Sequence, residues 1–164
     1  MFLTRIGLIF LILSEISCIS VKIPNTEVRR SSEIKFKAPQ SQFESLNNGN
    51  VDAAWKSQQT GSIISLLSEC PSGGAEVSLE ALKSETLNGL SELKFDLESR
   101  KEFLGREALT SHLRGKLEGV ESAIDLLIFK RNGCNYIATL VSTPKHTDSD
   151  RTEFQKFLNS LSLP

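Results

Sequence analysis

Hydrophobic positions are densest between Ser122 and Val141, where two runs rich in β-branched, leucine and aromatic residues flank Asn132-Gly133. An Asn-Gly pair between such runs is the strongest short-range signal of a two-residue β-hairpin. The pairing it predicts sets Phe129 opposite Tyr136, Leu127 opposite Ala138 and Ile128 opposite Ile137. Both faces of this hairpin are apolar. An antiparallel sheet with one wet face alternates polar and apolar residues, so something must cover each side of this one.

The remaining periodicities supply the candidates. Glu33-Ile-Lys-Phe-Lys37 alternates and predicts a first strand, stopped by Ala38-Pro39. Residues 40–50 read as a loop with Phe43 and Leu46 packing inward, and 53–58 and 62–67 as two strands, the first carrying Trp55. Ser78 caps a helix whose Leu79, Leu82, Leu87 and Leu90 share a face. Leu93, Phe95 and Leu97 alternate with charges as a half-buried strand, 99–105 connects, and 106–113 is a further strand. Gly115 to Gly119 leads into the hairpin. After Pro144, Asp150 and Glu153 have capping-box spacing, and Phe154, Phe157, Leu158 and Leu161 follow at helical intervals. The expected fold is α+β: a three-layer α/β/α sandwich, an antiparallel sheet of about six strands with a helix on each face.

The N-terminus is organised differently. One cation, Arg5, precedes the apolar run Gly7 to Leu13, which Glu15 closes. That run falls far short of the roughly 20 apolar residues that span a bilayer, so residues 1–17 read as a signal peptide. Leu13-Ser-Glu-Ile-Ser-Cys18 resembles the lipobox of bacterial lipoproteins, with Ser17 before the cysteine and Glu15 where the pattern has an aliphatic residue. The resemblance implies lipidation of Cys18, a membrane anchor and a location in the bacterial cell envelope, facing the periplasm or exterior. The alternative is cleavage after Ser20 and a soluble secreted or periplasmic protein. Residues 18–32, with Pro24 and Arg29-Arg30, then form a tether, and 33–164 a single domain.

Composition narrows the functional classes. Hydrophobic residues at 39% and charged residues at 24% fit a folded domain, and a net charge of −1 offers no basic excess for nucleic acid. Besides Cys18 there are two cysteines, Cys70 and Cys134. An even pair in an exported chain predicts a disulfide; two independent free thiols are the alternative.

The order of elements resembles the PsbP-like and Mog-like group of α/β/α domains. The matching features are Ile34-x-Phe36-x-Ala-Pro39, a strand ending in Cys70, and a helix ending near Leu90. Gly105-Arg-Glu-Ala108, the Asn-Gly-Cys-x-Tyr136 hairpin and a terminal Phe-x-x-Phe-Leu helix continue the match. The resemblance covers about residues 33 to 163 and implies an accessory or binding subunit.

Chemistry-bearing patterns are sparse. His112 reads as a strand residue facing solvent or a partner, and His146 as a loop residue. No His/Cys/Asp cluster has metal-ligand spacing, and no cofactor motif appears. Asp148-Ser-Asp150 admits a cation site, with a helix N-cap the simpler account. Glu69, Glu98, Glu102, Glu107, Glu118 and Glu121 are scattered. The expectation is a non-catalytic, membrane-anchored accessory or binding module with a protein partner in the envelope. A periplasmic carrier of a small apolar ligand and an exported hydrolase are the alternatives.

Overall fold

The computed structural model describes residues 28–40, 42–72 and 77–164. The signal segment and Cys18 lie outside them. At the heart of the fold, Arg131 pairs with Cys134 across Asn132 and Gly133, whose φ angles of 52° and 74° are both left-handed. This is the mirror-image turn whose twist matches that of the strands it joins. It connects β7 (Val120–Arg131) to β8 (Cys134–Ser142), and the three pairings predicted from the turn all form.

The two preceding turns repeat this geometry. Leu104 and Gly105, with φ of 50° and 73°, join β5 (Leu90–Phe103) to β6 (Arg106–Leu117). Glu118 and Gly119, at 49° and 83°, join β6 to β7. Residues 99–105 and 115–119 were expected to be connections; most of them are strand instead. The reason is conformational, since leucine and glutamate rarely take a left-handed φ and do not advertise one.

The other strands are β1 (Val28–Arg29), β2 (Phe43–Ser45), β3 (Ala53–Ser57) and β4 (Ile63–Pro71). All pairings are antiparallel, in the order β2-β3-β4-β8-β7-β6-β5, with β1 added on the end of β4. Seven strands thus stand in the main path. The strand expected at 33–37 is reduced to one bridge, Lys35 to Ser162, because Ile34 and Phe36 pack against the core cluster beneath the C-terminal helix. The expected loop at 40–50 contains β2, and Leu46 is exposed rather than inward.

Two helices complete the domain. Ser78 caps α1 (Leu79–Thr86) by accepting a 3.1 Å bond from the Ala81 amide. The helix is shorter than its leucine spacing suggested, since Leu90 already begins β5. α2 (Thr147–Ser160) starts three residues before the expected Asp150 cap, after His146, with no side-chain cap bond. Both members of the supposed capping box are therefore buried in the helix flank.

Alternate residues of β7 point to opposite sides of the strand. Leu127 and Phe129 join Ala108, Tyr136, Ala138 and Leu140 in one cluster with Phe154, Phe157, Leu158 and Leu161. Leu126 and Ile128 join Leu109 and Ile137 in another with Leu79 and Leu82 of α1. Leu93, Phe95 and Leu97 on the outer strand are not half-buried but 37%, 48% and 57% exposed. They lie where β5 slips register twice against β6.

Cys70 and Cys134 are bonded across β4 and β8, one position beyond the Glu69–Asn135 pair, with Cα atoms 4.1 Å apart. In the chain-entropy model a closed loop of this length stabilises by about 4 kcal/mol.

Tyr136 is the only tyrosine. Its ring stacks on Phe129 at 4.8 Å and its hydroxyl lies 2.9 Å from Ser31 Oγ. Burial pushes its phenol above the ordinary value. A phenol kept neutral in the fold contributes stability that is complete below its unfolded value of about 10 and is lost as pH rises through the folded value. Phenolate absorbance should therefore appear at higher pH in the native protein than in urea. Tyr136→Phe should remove this component of alkaline destabilisation. Coincident titrations would contradict the burial argument.

Candidate functional site

Two features combine concavity or buried charge with polar groups. The first follows from the shortness of α1. Its buried Leu79 and Leu82 cover part of one sheet face, and beyond its end the sheet is left partly open. The result is a groove of about 260 Å³. Leu67, Leu87, Leu117, Ile124, Ile137 and Val141 line it, and Ser65 Oγ and Thr139 Oγ1, 2.6 Å apart, contribute a hydroxyl pair. Thr86 and Asn88 add further polar groups. A mostly apolar concavity with few polar groups is how small-molecule sites are commonly built.

The second feature lies among apolar residues of β7, where Asp125 is 2% exposed. Its carboxylate accepts bonds from Arg151 Nε at 2.8 Å and Nη2 at 3.1 Å, a two-pronged clamp from α2. His112 Nδ1, from the paired position on β6, also contacts Asp125 Oδ1. Nearby, Arg114 holds Asp96 through bonds of 2.9 and 2.6 Å. The hydrogen bond with Arg114 keeps the Asp96 carboxyl below its usual range, and that with Asp125 raises the Arg151 guanidinium.

A carboxylate behind an imidazole is part of the apparatus of nucleophilic catalysis. Here, however, the carboxylate is committed to Arg151, and among the described residues no hydroxyl or thiol bonds to His112. The arrangement ties α2 to β6 and β7. His112 lies on a strand as expected and keeps 28% of its side chain exposed, but its Nδ1 is turned to Asp125. The available signal was Asp125 itself, a lone charge inside the run Ala123 to Phe129.

The other sequence candidates are dispersed. Cys18 lies outside the described residues, Cys70 and Cys134 are joined at one end of the sheet, and His146 precedes α2. Among the described residues, no group of three or more His, Cys, Asp or Glu side chains could hold a metal ion. No helix among them is long and apolar enough to cross a membrane.

No protein-family profile matches the chain, and no curated protein sequence matches it. Solved structures do. Cyanobacterial PsbP (CyanoP) from Synechocystis sp. PCC 6803 is similar over 90% of this chain and 98% of its own, with 11% identity and a TM-score of 0.57. LpqN, involved in cell envelope biogenesis of Mycobacterium tuberculosis, is similar over 84% of this chain and 92% of its own, with 10% identity and a TM-score of 0.60. A Pseudomonas aeruginosa protein of unknown function, described as a putative regulator, covers 87% and 89%, with 16% identity and a TM-score of 0.53. The chain has a PsbP-like fold. At these identities the likeness concerns the fold alone.

Removing the carboxylate of Asp125 leaves Arg151 and His112 without their buried partner. Asp125→Ala should cost about 1.5 to 3 kcal/mol of stability, read from urea unfolding, since the freed Arg151 side chain is 37% exposed and can rehydrate. A loss below about 1 kcal/mol would show that the clamp is energetically idle.

Proposed function

We propose that this protein is a non-catalytic accessory or binding module of a bacterial cell envelope, exported and held on a membrane by lipid attached to Cys18. The observation that carries the reading is the Cys70–Cys134 bond, because such bonds form and persist in oxidising compartments outside the cytosol. It agrees with the leader-like Met1 to Ser17. The printed role of LpqN in envelope biogenesis lends support from the fold. We read the two helix-bearing clusters as the outer layers of a three-layer α/β/α sandwich whose exposed surfaces meet a protein partner.

Acyl chains contribute about 0.8 kcal/mol per buried methylene, so a multiply acylated Cys18 would hold the domain firmly at a bilayer. Intact-mass measurement on the membrane fraction tests this. The expected species begins at Cys18 and carries acyl chains; an unmodified chain beginning at Val21 would contradict the anchor.

The apolar groove favours a second reading, a carrier of a small apolar ligand. Native mass spectrometry should then find co-purified lipid, displaced when Thr139→Phe fills the groove. A consistently empty domain counts against a carrier and leaves the accessory reading standing.

A further inference from the structure

Among the described residues, no charged side chain lines the groove beyond the end of α1. Two other concavities differ in this respect. One is lined by Glu92, Lys94, Arg114, Lys116 and Glu121, the other by Glu80, Arg100, Arg106, Glu107 and Lys130. The floor of the groove is the side of β8 that faces α1, where Ile137, Thr139 and Val141 stand at alternate positions over about 13 Å. Its 260 Å³ lies just below the usual range for small-molecule sites, roughly 300 to 1,000 Å³, so it has room for one chain and not for a two-chain lipid. Leu117 on its wall pairs with Val120, and the two are 42% and 61% exposed, so apolar surface continues outward from it.

The polar content of the floor is a single pair. Ser65 Oγ and Thr139 Oγ1 face each other across β4 and β8 at 2.6 Å. Two hydroxyls carry two O–H donors, and the bond between them uses one. Neither group makes another hydrogen bond among the described residues. One O–H is thus left over in the middle of an apolar floor, with Leu67 and Ile137 on one side and Ile124 and Val141 on the other. A plain alkyl chain laid over it would strip its water and return nothing, whereas an acceptor oxygen would restore the bond. A carboxylate would also accept it, but no cation in the groove offsets that charge.

We infer that the groove takes an uncharged single-chain lipid bearing an ester or hydroxyl oxygen, such as a monoacylglycerol. Such a ligand presupposes the carrier reading and gives it a chemical class. The chain lies on Leu67, Ile124, Ile137 and Val141, and the oxygen accepts from the Ser65–Thr139 pair. The exposed Asn88 at the rim meets the headgroup.

Isothermal calorimetry on the full chain tests this with two probes of equal chain length, 1-monolauroylglycerol and laurate. Both are used below their micelle concentrations at about pH 8, where laurate is ionised. Monolauroylglycerol should bind saturably and at least about tenfold more tightly than laurate, a comparison that needs no variant. The double variant Ser65→Ala/Thr139→Val removes both hydroxyls with little change of shape. Once a melting curve shows it folded, it should bind the ester at least about fivefold more weakly. Laurate binding as tightly as the ester, or undiminished ester binding by the folded variant, would overturn the ligand class and leave a carrier standing. Binding of neither probe would overturn it too, and co-purified lipid then decides the carrier reading separately.

Discussion

Pairing of β7 with β8 is the constraint on which the other elements depend. A two-residue turn with both φ angles positive fixes the register, and a slip of one residue would exchange the two faces of each strand. Because β7 is apolar on both sides, that register alone decides which residues meet α2 and which meet α1. Leu127 and Phe129 find Phe154 and Phe157; Leu126 and Ile128 find Leu79 and Leu82. The disulfide adds a covalent tie between β8 and β4 at the end nearest the turn. On the other side, β6 and β5 are carried outward by two more turns of the same kind.

The length of the helices then determines what remains open. α2 has fourteen residues and brings three large apolar side chains to its cluster, with Leu161 just past its end and with Trp55 and Phe36. α1 has eight and brings two, so the sheet beyond its end keeps a groove. Both outcomes arise from side-chain supply. A PsbP-like fold can therefore present a closed face and a partly open one without altering its strand order.

Several of these features were legible in the residues. The hairpin and its three named pairs followed from Asn132-Gly133, the α2 stripe from helical spacing, and the Cys70–Cys134 bond from an even pair behind an export-like leader. What escaped has common physical causes. Leu104 and Glu118 take left-handed conformations that neither residue type favours, so two strand ends were mistaken for connections. Asp150 and Glu153 had the spacing of a cap, but helix start depends on the whole turn from Thr143 to His146, and an earlier start carried both carboxylates inward. The clamp on Asp125 joins residues 13 and 26 positions apart in sequence, a convergence that only the fold creates. The lone aspartate in an apolar strand was its visible trace.

Hydrogen exchange on the native, oxidised protein tests the organising role of the β7–β8 pair most directly. Amides that open only on global unfolding are expected to concentrate in the paired segments Leu126–Phe129 and Tyr136–Leu140, with β2 and the outer half of β5 exchanging by local opening. Greatest protection in β3 and β4, with β7 and β8 exchanging early, would contradict the account.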